Sequence, residues 1–220
     1  ASVQYRYAQS GDTLCGEFIN TVMARALSCS EVNASMGKIC AMPTAGSCGI
    51  VPAVLISVGE ALGKTEEDVV KALITASGIG AVVMENATVA GSEGGCQAEC
   101  GVAAAMAAAG AVELKGGTAA MSIEAFSFAL INMMGLVCDP VAGLVQVPCA
   151  QRNASQAVNA LLSADMALGG LKFPIPADEV IDAMYKVGKL LPVQLRETAM
   201  GGIAATETAK AIAARIYETN

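Results

Sequence analysis

Gly135-Leu-Val-Cys-Asp-Pro-Val-Ala-Gly-Leu-Val-Gln-Val-Pro-Cys-Ala-Gln-Arg-Asn153 carries two cysteines, Cys138 and Cys149, in a segment punctuated by Pro140, Gly143 and Pro148. Proline removes a backbone donor and clashes with the preceding helical turn. The segment is therefore expected to form a shaped loop between helices rather than one continuous helix. On either side the pattern is helical. Apolar residues recur every three to four positions over residues 12–27, with Asp12 or Thr13 as N-cap, and a short piece follows over 30–38. Further helices are expected over 50–62, over 65–77 from a capping box at Thr65, over 81–87 beyond Gly78 and Gly80, and over 98–114 up to Gly116 and Gly117. The helix over 123–134, capped by Ser122, leads into the opening loop, and 154–168, 177–191 and 206–217 complete the set. No run alternates apolar and polar residues convincingly over five positions. The expected fold is all-α, a compact multi-helix domain whose loops carry the chemistry, with residues 1–220 as one domain.

Composition narrows the function. Of 220 residues 54% are hydrophobic, only 4% are aromatic, and there are 23 glycines. Small side chains let helices approach closely, so tight packing is expected. The net charge of −7, without a basic run and without tryptophan, excludes nucleic acid as a partner. The longest uncharged stretch, between Lys38 and Glu60, is broken by Pro43, Gly46, Gly49 and Pro52, which argues against a membrane span. The first residues lack the apolar run of a signal peptide. Ala1 is not an initiator residue, and truncation at the N-terminus is expected. Eight cysteines without a secretory signal point to a reducing, cytoplasmic compartment. The absence of histidine removes the commonest general base and zinc ligand, so any bound metal must rely on thiolate and oxygen.

Three loops carry polar groups. Residues 40–49 place small residues and hydroxyls just before a helix, a geometry that suits an anion as well as it suits a plain turn. Residues 90–99 add a thiol and two carboxylates to a glycine-rich backbone, and residues 195–202 form a polar turn able to reach the core. Cys15, Cys29, Cys40 and Cys48 read as small core residues. Cys96, Cys138 and Cys149 instead lie in Gly- or Pro-containing turns, where backbone N–H groups can face sulfur. Three thiolates without histidine suit iron–sulfur chemistry, whereas structural zinc normally takes four closed ligands. Cys100 is a candidate fourth ligand, although its place on a first helical turn can aim it elsewhere, and no Cys-x-x-Cys pair is present. Core thiols and a metal centre both remain open at this point. In the second case an iron without a protein ligand would act as a Lewis acid, which predicts a lyase.

Met42-Pro-Thr-Ala-Gly-Ser-Cys-Gly-Ile-Val-Pro-Ala-Val-Leu55, Gly91-Ser-Glu-Gly-Gly-Cys-Gln-Ala-Glu99 and Cys138 through Asn153 closely resemble the iron–sulfur-dependent L-serine dehydratases, and the match continues through Arg196-Glu-Thr198 and Gly201-Gly202. The chain looks like the alpha chain, or catalytic domain, of the two-subunit form. The resemblance implies a 4Fe-4S cluster on Cys96, Cys138 and Cys149, and conversion of L-serine to pyruvate and ammonia. It places Thr44, Ala45, Gly46, Ser92, Asn153 and Arg196 around the substrate, with Arg196 suited to a carboxylate. Glu93, Glu99 or a residue of a partner are the candidate bases. It also implies an oligomer with a beta subunit or regulatory domain. Two departures stand out: residues 130–134 lack a histidine that some members carry there, and the chain ends Tyr217-Glu-Thr-Asn220 rather than in a cysteine that can close the open iron. Alternative readings are a cluster-dependent cysteine desulfidase and a non-catalytic helical scaffold that needs a partner.

Overall fold

Helix α6, Val102–Lys115, is the strut around which the other helices pack. Its sequence, VAAAMAAAGAVELK, combines the strongest helix former with side chains too small to hold neighbours away, and every residue except Glu113 and Lys115 is buried. Helices α3 (Ile50–Ala61), α4 (Glu66–Asn86), α7 (Ala119–Ile131) and α8 (Cys149–Leu168) pack directly against it. An outer layer comprises α1 (Ser2–Ala8), α2 (Gly16–Ala34), α5 (Gly91–Gly94), α9 (Ala177–Leu190) and α10 (Glu207–Glu218). The computed structural model describes residues 1–218, so the last two residues of the chain's tail lie outside the described residues. Among these the only β-type pairing is an isolated parallel bridge between Cys138 and Arg196, so the chain is all-α. Among the described residues no helix is long and apolar enough to cross a membrane.

Several expected boundaries shift for identifiable reasons. The pieces over 12–27 and 30–38 are one helix, α2, in which the Ser30 hydroxyl donates back to the Ala26 carbonyl and leaves the helix intact. Gly78 and Gly80 do not interrupt α4. Gly80 lies against Met106, where a Cβ would stand 2.9 Å from the thioether, so packing on α6 offsets the helix-weakening effect of glycine. The capping box of α4 is formed: Thr65 Oγ1 accepts from the Asp68 amide at 3.2 Å, and Asp68 Oδ2 accepts from the Thr65 amide at 3.0 Å. Thr118, not Ser122, caps α7. Ser122 lies inside that helix and donates to the Ala109 carbonyl of α6 at 3.3 Å. Helix α8 starts at Cys149, five residues before the expected start, because Pro148 is tolerated at its N-terminal boundary. Helix α1 has no apolar periodicity to announce it.

The opening loop is a shaped connection between α7 and α8, as its prolines require. It contains a 3₁₀ turn at Val141–Gly143, and α10 closes over it through Ala209, Ile212 and Ile216, while the Tyr217 hydroxyl donates to the Ala142 carbonyl at 2.6 Å.

Close approach at α6 is directly testable. A Cβ on Gly110 would stand 2.8 Å from Leu55 Cδ2 and 3.0 Å from the Ala72 carbonyl oxygen. Gly110→Leu is expected to lower stability by about 3 kcal/mol or to abolish folding, measured by chemical denaturation.

Candidate metal centre

The chain between α5 and α6 makes a π-helical turn, Gln97–Gly101, which sets Glu99 and Cys100 inward beside Cys96. All three are buried. Opposite them stand Cys138, from the loop after α7, and Cys149, the first residue of α8, both also buried. The Cys96, Cys138 and Cys149 thiols are near enough that Cys138 and Cys149 both respond to Cys96, and Cys138 also to Cys149. Cys138 is held from behind by the 195–202 turn, which does reach the core: its amide donates to the Leu195 carbonyl at 2.9 Å and its carbonyl accepts from the Glu197 amide at 2.7 Å.

Those bonds bring in a residue that carried no assignment from sequence. Glu197 stands in the left-handed region at φ 64°, and one of its carboxylate oxygens, one of Glu99's and the Cys138 sulfur all lie within 4.8 Å of one another. Two carboxylates and a thiol at this spacing can hold a metal ion.

Glu99 is the most constrained of these groups. Oε1 accepts from the Gly91 amide at 3.0 Å, and the Thr44 hydroxyl also hydrogen-bonds the carboxylate. The approach needs glycine on two sides. A Cβ on Gly91 would stand 2.5 Å from Glu99 Oε1 and 2.9 Å from Cys138 Sγ, and one on Gly46 would stand 2.7 Å from Glu99 Oε2. Burial, reinforced by the neighbouring Glu197 charge, raises the Glu99 pKa to about 7, against the pull of the Gly91 and Thr44 hydrogen bonds.

The thiols follow the same electrostatics. Burial, with Glu99 and Cys96 nearby, pushes Cys138 far up, and burial pushes Cys149 up to about 12 even though a helix N-terminus favours an anion. Cys96 alone is lowered, first by the hydrogen bond from Cys100, which is correspondingly raised, and then by the Arg152 guanidinium. Arg152, which sequence left unassigned, is fixed by its Nη1 bond to the Val137 carbonyl at 3.0 Å and by Asp139, 2.9 Å from Nη2. Asp139 in turn accepts from the Ile203 amide at 2.7 Å.

The other predicted residues divide into two groups. Thr44 and Gly46 meet Glu99, whereas Ala45 is exposed. Ser92 and Glu93 fall on the outward side of the single turn α5, whose Gly91 and Gly94 face inward, and Glu93 lies 3.5 Å from Lys189 at the surface. Ser92 and Glu93 thus stand on the exposed side of α5, opposite the glycines that face the thiols. Asn153 is fully buried and its amide serves the backbone, with Nδ2 donating to the carbonyls of Gly46 (2.7 Å) and Cys149 (2.8 Å) and Oδ1 accepting from the Gly49 amide (2.9 Å). Arg196 keeps a buried Nε with no hydrogen-bond partner among the described residues. Of the cysteines read as core residues, Cys48 is buried and Cys29 partly so, but Cys15 and Cys40 are exposed, since they lie outside the helix faces that pack. All eight cysteines are free.

A serine dehydratase alpha-chain model matches residues 1–204. The chain is 53% identical over 211 residues to the probable L-serine dehydratase alpha chain of Bacillus subtilis (strain 168), covering 96% of this chain and 70% of that protein. It is 52% identical over 208 residues to the L-serine dehydratase alpha chain of Peptoniphilus asaccharolyticus, covering 94% and 71%. Against L-serine dehydratase 1 of Escherichia coli (strain K12) it is 42% identical over 209 residues, covering 93% of this chain and 46% of that longer protein.

Two measurements check this geometry. In metal-free protein Glu99 binds its proton more tightly folded than unfolded, so stability should fall as pH rises from about 4.5 through about 7. Glu99→Gln should flatten that slope and raise stability at pH 8 by up to about 3 kcal/mol in urea titrations. Asn153→Ala, which strands three buried backbone groups, should cost on the order of 3 kcal/mol at every pH in the same titrations.

Proposed function

The chain belongs to the serine dehydratase alpha-chain family, and on that premise we propose that it is the catalytic subunit of an L-serine ammonia-lyase, converting L-serine to pyruvate and ammonia. The observation that carries the proposal is the convergence of three buried thiols, Cys96, Cys138 and Cys149, with one buried carboxylate, Glu99.

The donor set fits a 4Fe-4S cluster. Burial and mutual repulsion oppose ionisation at Cys138 and Cys149, and a cationic iron–sulfur core is the kind of charge that reverses this and makes them ligands. Cys96 is already biased toward thiolate by Cys100 and Arg152. Cys100 therefore serves as a hydrogen-bond donor to a ligand sulfur, a contact of the kind that tunes such centres. With three protein thiolates, a bound cluster would supply a Lewis-acid iron that polarises the substrate's C–O bond.

The remaining roles belong to the chain itself. Glu99, with a proton affinity near neutrality, takes the α-proton of serine. The Arg196 guanidinium, whose Nε lacks a partner among the described residues, receives the substrate carboxylate. Thr44 and the Gly91 amide orient Glu99, and Asn153 locks the Gly46–Gly49 backbone to the first turn of α8. Loss of the α-proton and the hydroxyl gives aminoacrylate and water. Its imine tautomer is then hydrolysed to pyruvate and ammonia, so the net reaction needs no oxidant. Residues 1–220 act as one domain in this reading, a beta subunit completes the enzyme, and a reducing cytoplasm keeps the eight free cysteines reduced.

After anaerobic reconstitution, serine changes at Cys96, Cys138 or Cys149 should abolish the thiolate-to-iron absorption near roughly 400 nm, while changes at Cys15 or Cys29 should preserve it. Glu99→Gln should retain the absorption and lose at least about 100-fold in kcat for pyruvate formation. Turnover of L-serine by fully iron-free protein would rule the proposal out. Faster sulfide release from L-cysteine than pyruvate release from L-serine would favour a desulfidase instead.

A further inference from the structure

Helix α4 packs on the core through Val69, Ala72, Ala76 and Val83, and its opposite face is apolar where a solvent-facing helix is normally charged. Ile74 is 66% exposed and Val82 is 48% exposed. Gly78 lies midway between them with no atom within 4 Å of the position a Cβ would take, so nothing within the chain requires glycine there. A glycine in the interior of an exposed helix weakens it relative to alanine. Its usual compensation is the close approach of another backbone.

At 100° per residue, Glu67, Lys71, Ile74, Gly78, Val82 and Glu85 fall on one outward stripe. An antiparallel copy of the same stripe, pivoting at Gly78, places Ile74 opposite Val82 and Lys71 opposite Glu85, each pair occurring twice by symmetry. Shifting the register by one turn loses the charge match. Lys71 already lies 2.9 Å from Glu67 of its own helix, and Glu85 has no ion-pair partner among the described residues. We propose that this face of α4 is a homodimer interface, in which two copies of the chain cross antiparallel at Gly78 and are held in register by reciprocal Lys71–Glu85 pairs.

The helix is roughly 31 Å long at 1.5 Å per residue. One helix pair of this length makes a small interface, at the low end of the roughly 1,200–2,000 Å² of stable specific complexes, so the dimer should be weak. Sedimentation equilibrium of the full chain from about 1 to 500 µM should show a monomer–dimer equilibrium. Ile74→Glu should abolish it without changing the circular dichroism spectrum.

Charge reversal is the sharper arm. Lys71→Glu and Glu85→Lys should each weaken dimerisation at least fivefold, roughly the effect of setting like charges opposite one another, and the double variant should recover it. Glu85→Lys also lowers the net negative charge of the chain, which stands at −7. If bulk repulsion alone governed association, that variant would strengthen the dimer. Gly78→Leu should leave the monomer folded, since the site is open, and prevent close crossing. A chain that stays monomeric to 500 µM, a dimer indifferent to Gly78→Leu, or failure of the double reversal to rescue would overturn the proposal, and the first result would leave this face to a different subunit.

Discussion

The architecture depends on one helix being thin. Because α6 presents almost nothing but alanine, glycine and valine, four helices can reach its axis at once, and its N-terminal end becomes a point where chain segments distant in sequence converge. The π-helical turn at Gln97–Gly101 lies at that point and adds a residue to the turn without ending the helix, so Cys96, Glu99 and Cys100 all face inward. Bulk anywhere on α6 would push α3 or α4 outward and separate the 40–49 loop from the residues it must meet. Packing and chemistry are thus the same constraint seen at two ends of one helix.

At the convergence point, burial has gathered more acidic groups than the protein can ionise by itself. Arg152 is a cation inserted among them, and it sides with Cys96 and Asp139. Glu99 and Glu197 approach Cys138 within coordination distance of a shared ion, and Arg196 brings a donor that the described residues leave unfilled. Glu99 and Cys138 are buried and Glu197 lies exposed at their rim, and burying anionic groups short of positive charge is costly unless something cationic completes them. The hydrogen bonds around it, between Asn153 and three backbone groups and from Gly91 and Thr44 to Glu99, hold these groups in place.

Much of this was legible in the residues. The helical class followed from periodicity, and Pro140 and Pro148 marked the loop after α7 as irregular. The surroundings of Cys96, Cys138 and Cys149 separated them from the other cysteines. What sequence missed depended on long-range geometry. Glu197 gave no signal because its position at positive φ is fixed through its amide bond to Cys138, about sixty residues away in the chain. Arg152 was visible as a charge in an apolar segment at the start of a helix and was the signal most open to use. Glu93 and Glu99 looked equivalent in one glycine-rich stretch, but the turn of α5 sends the first to the surface and the π-helical turn sets the second inward. Gly78 and Gly80 looked like a helix break because local propensity cannot register the packing of Gly80 against Met106.

The central claim is that the three thiols hold a cluster with one iron left for the substrate. It is tested most directly by the anaerobic absorption spectrum of the reconstituted chain during titration with L-serine. The account predicts a saturable change in the thiolate-to-iron bands as serine is added, reaching half its amplitude at the concentration that half-saturates pyruvate formation. An unchanged spectrum in protein that is turning serine over would contradict it.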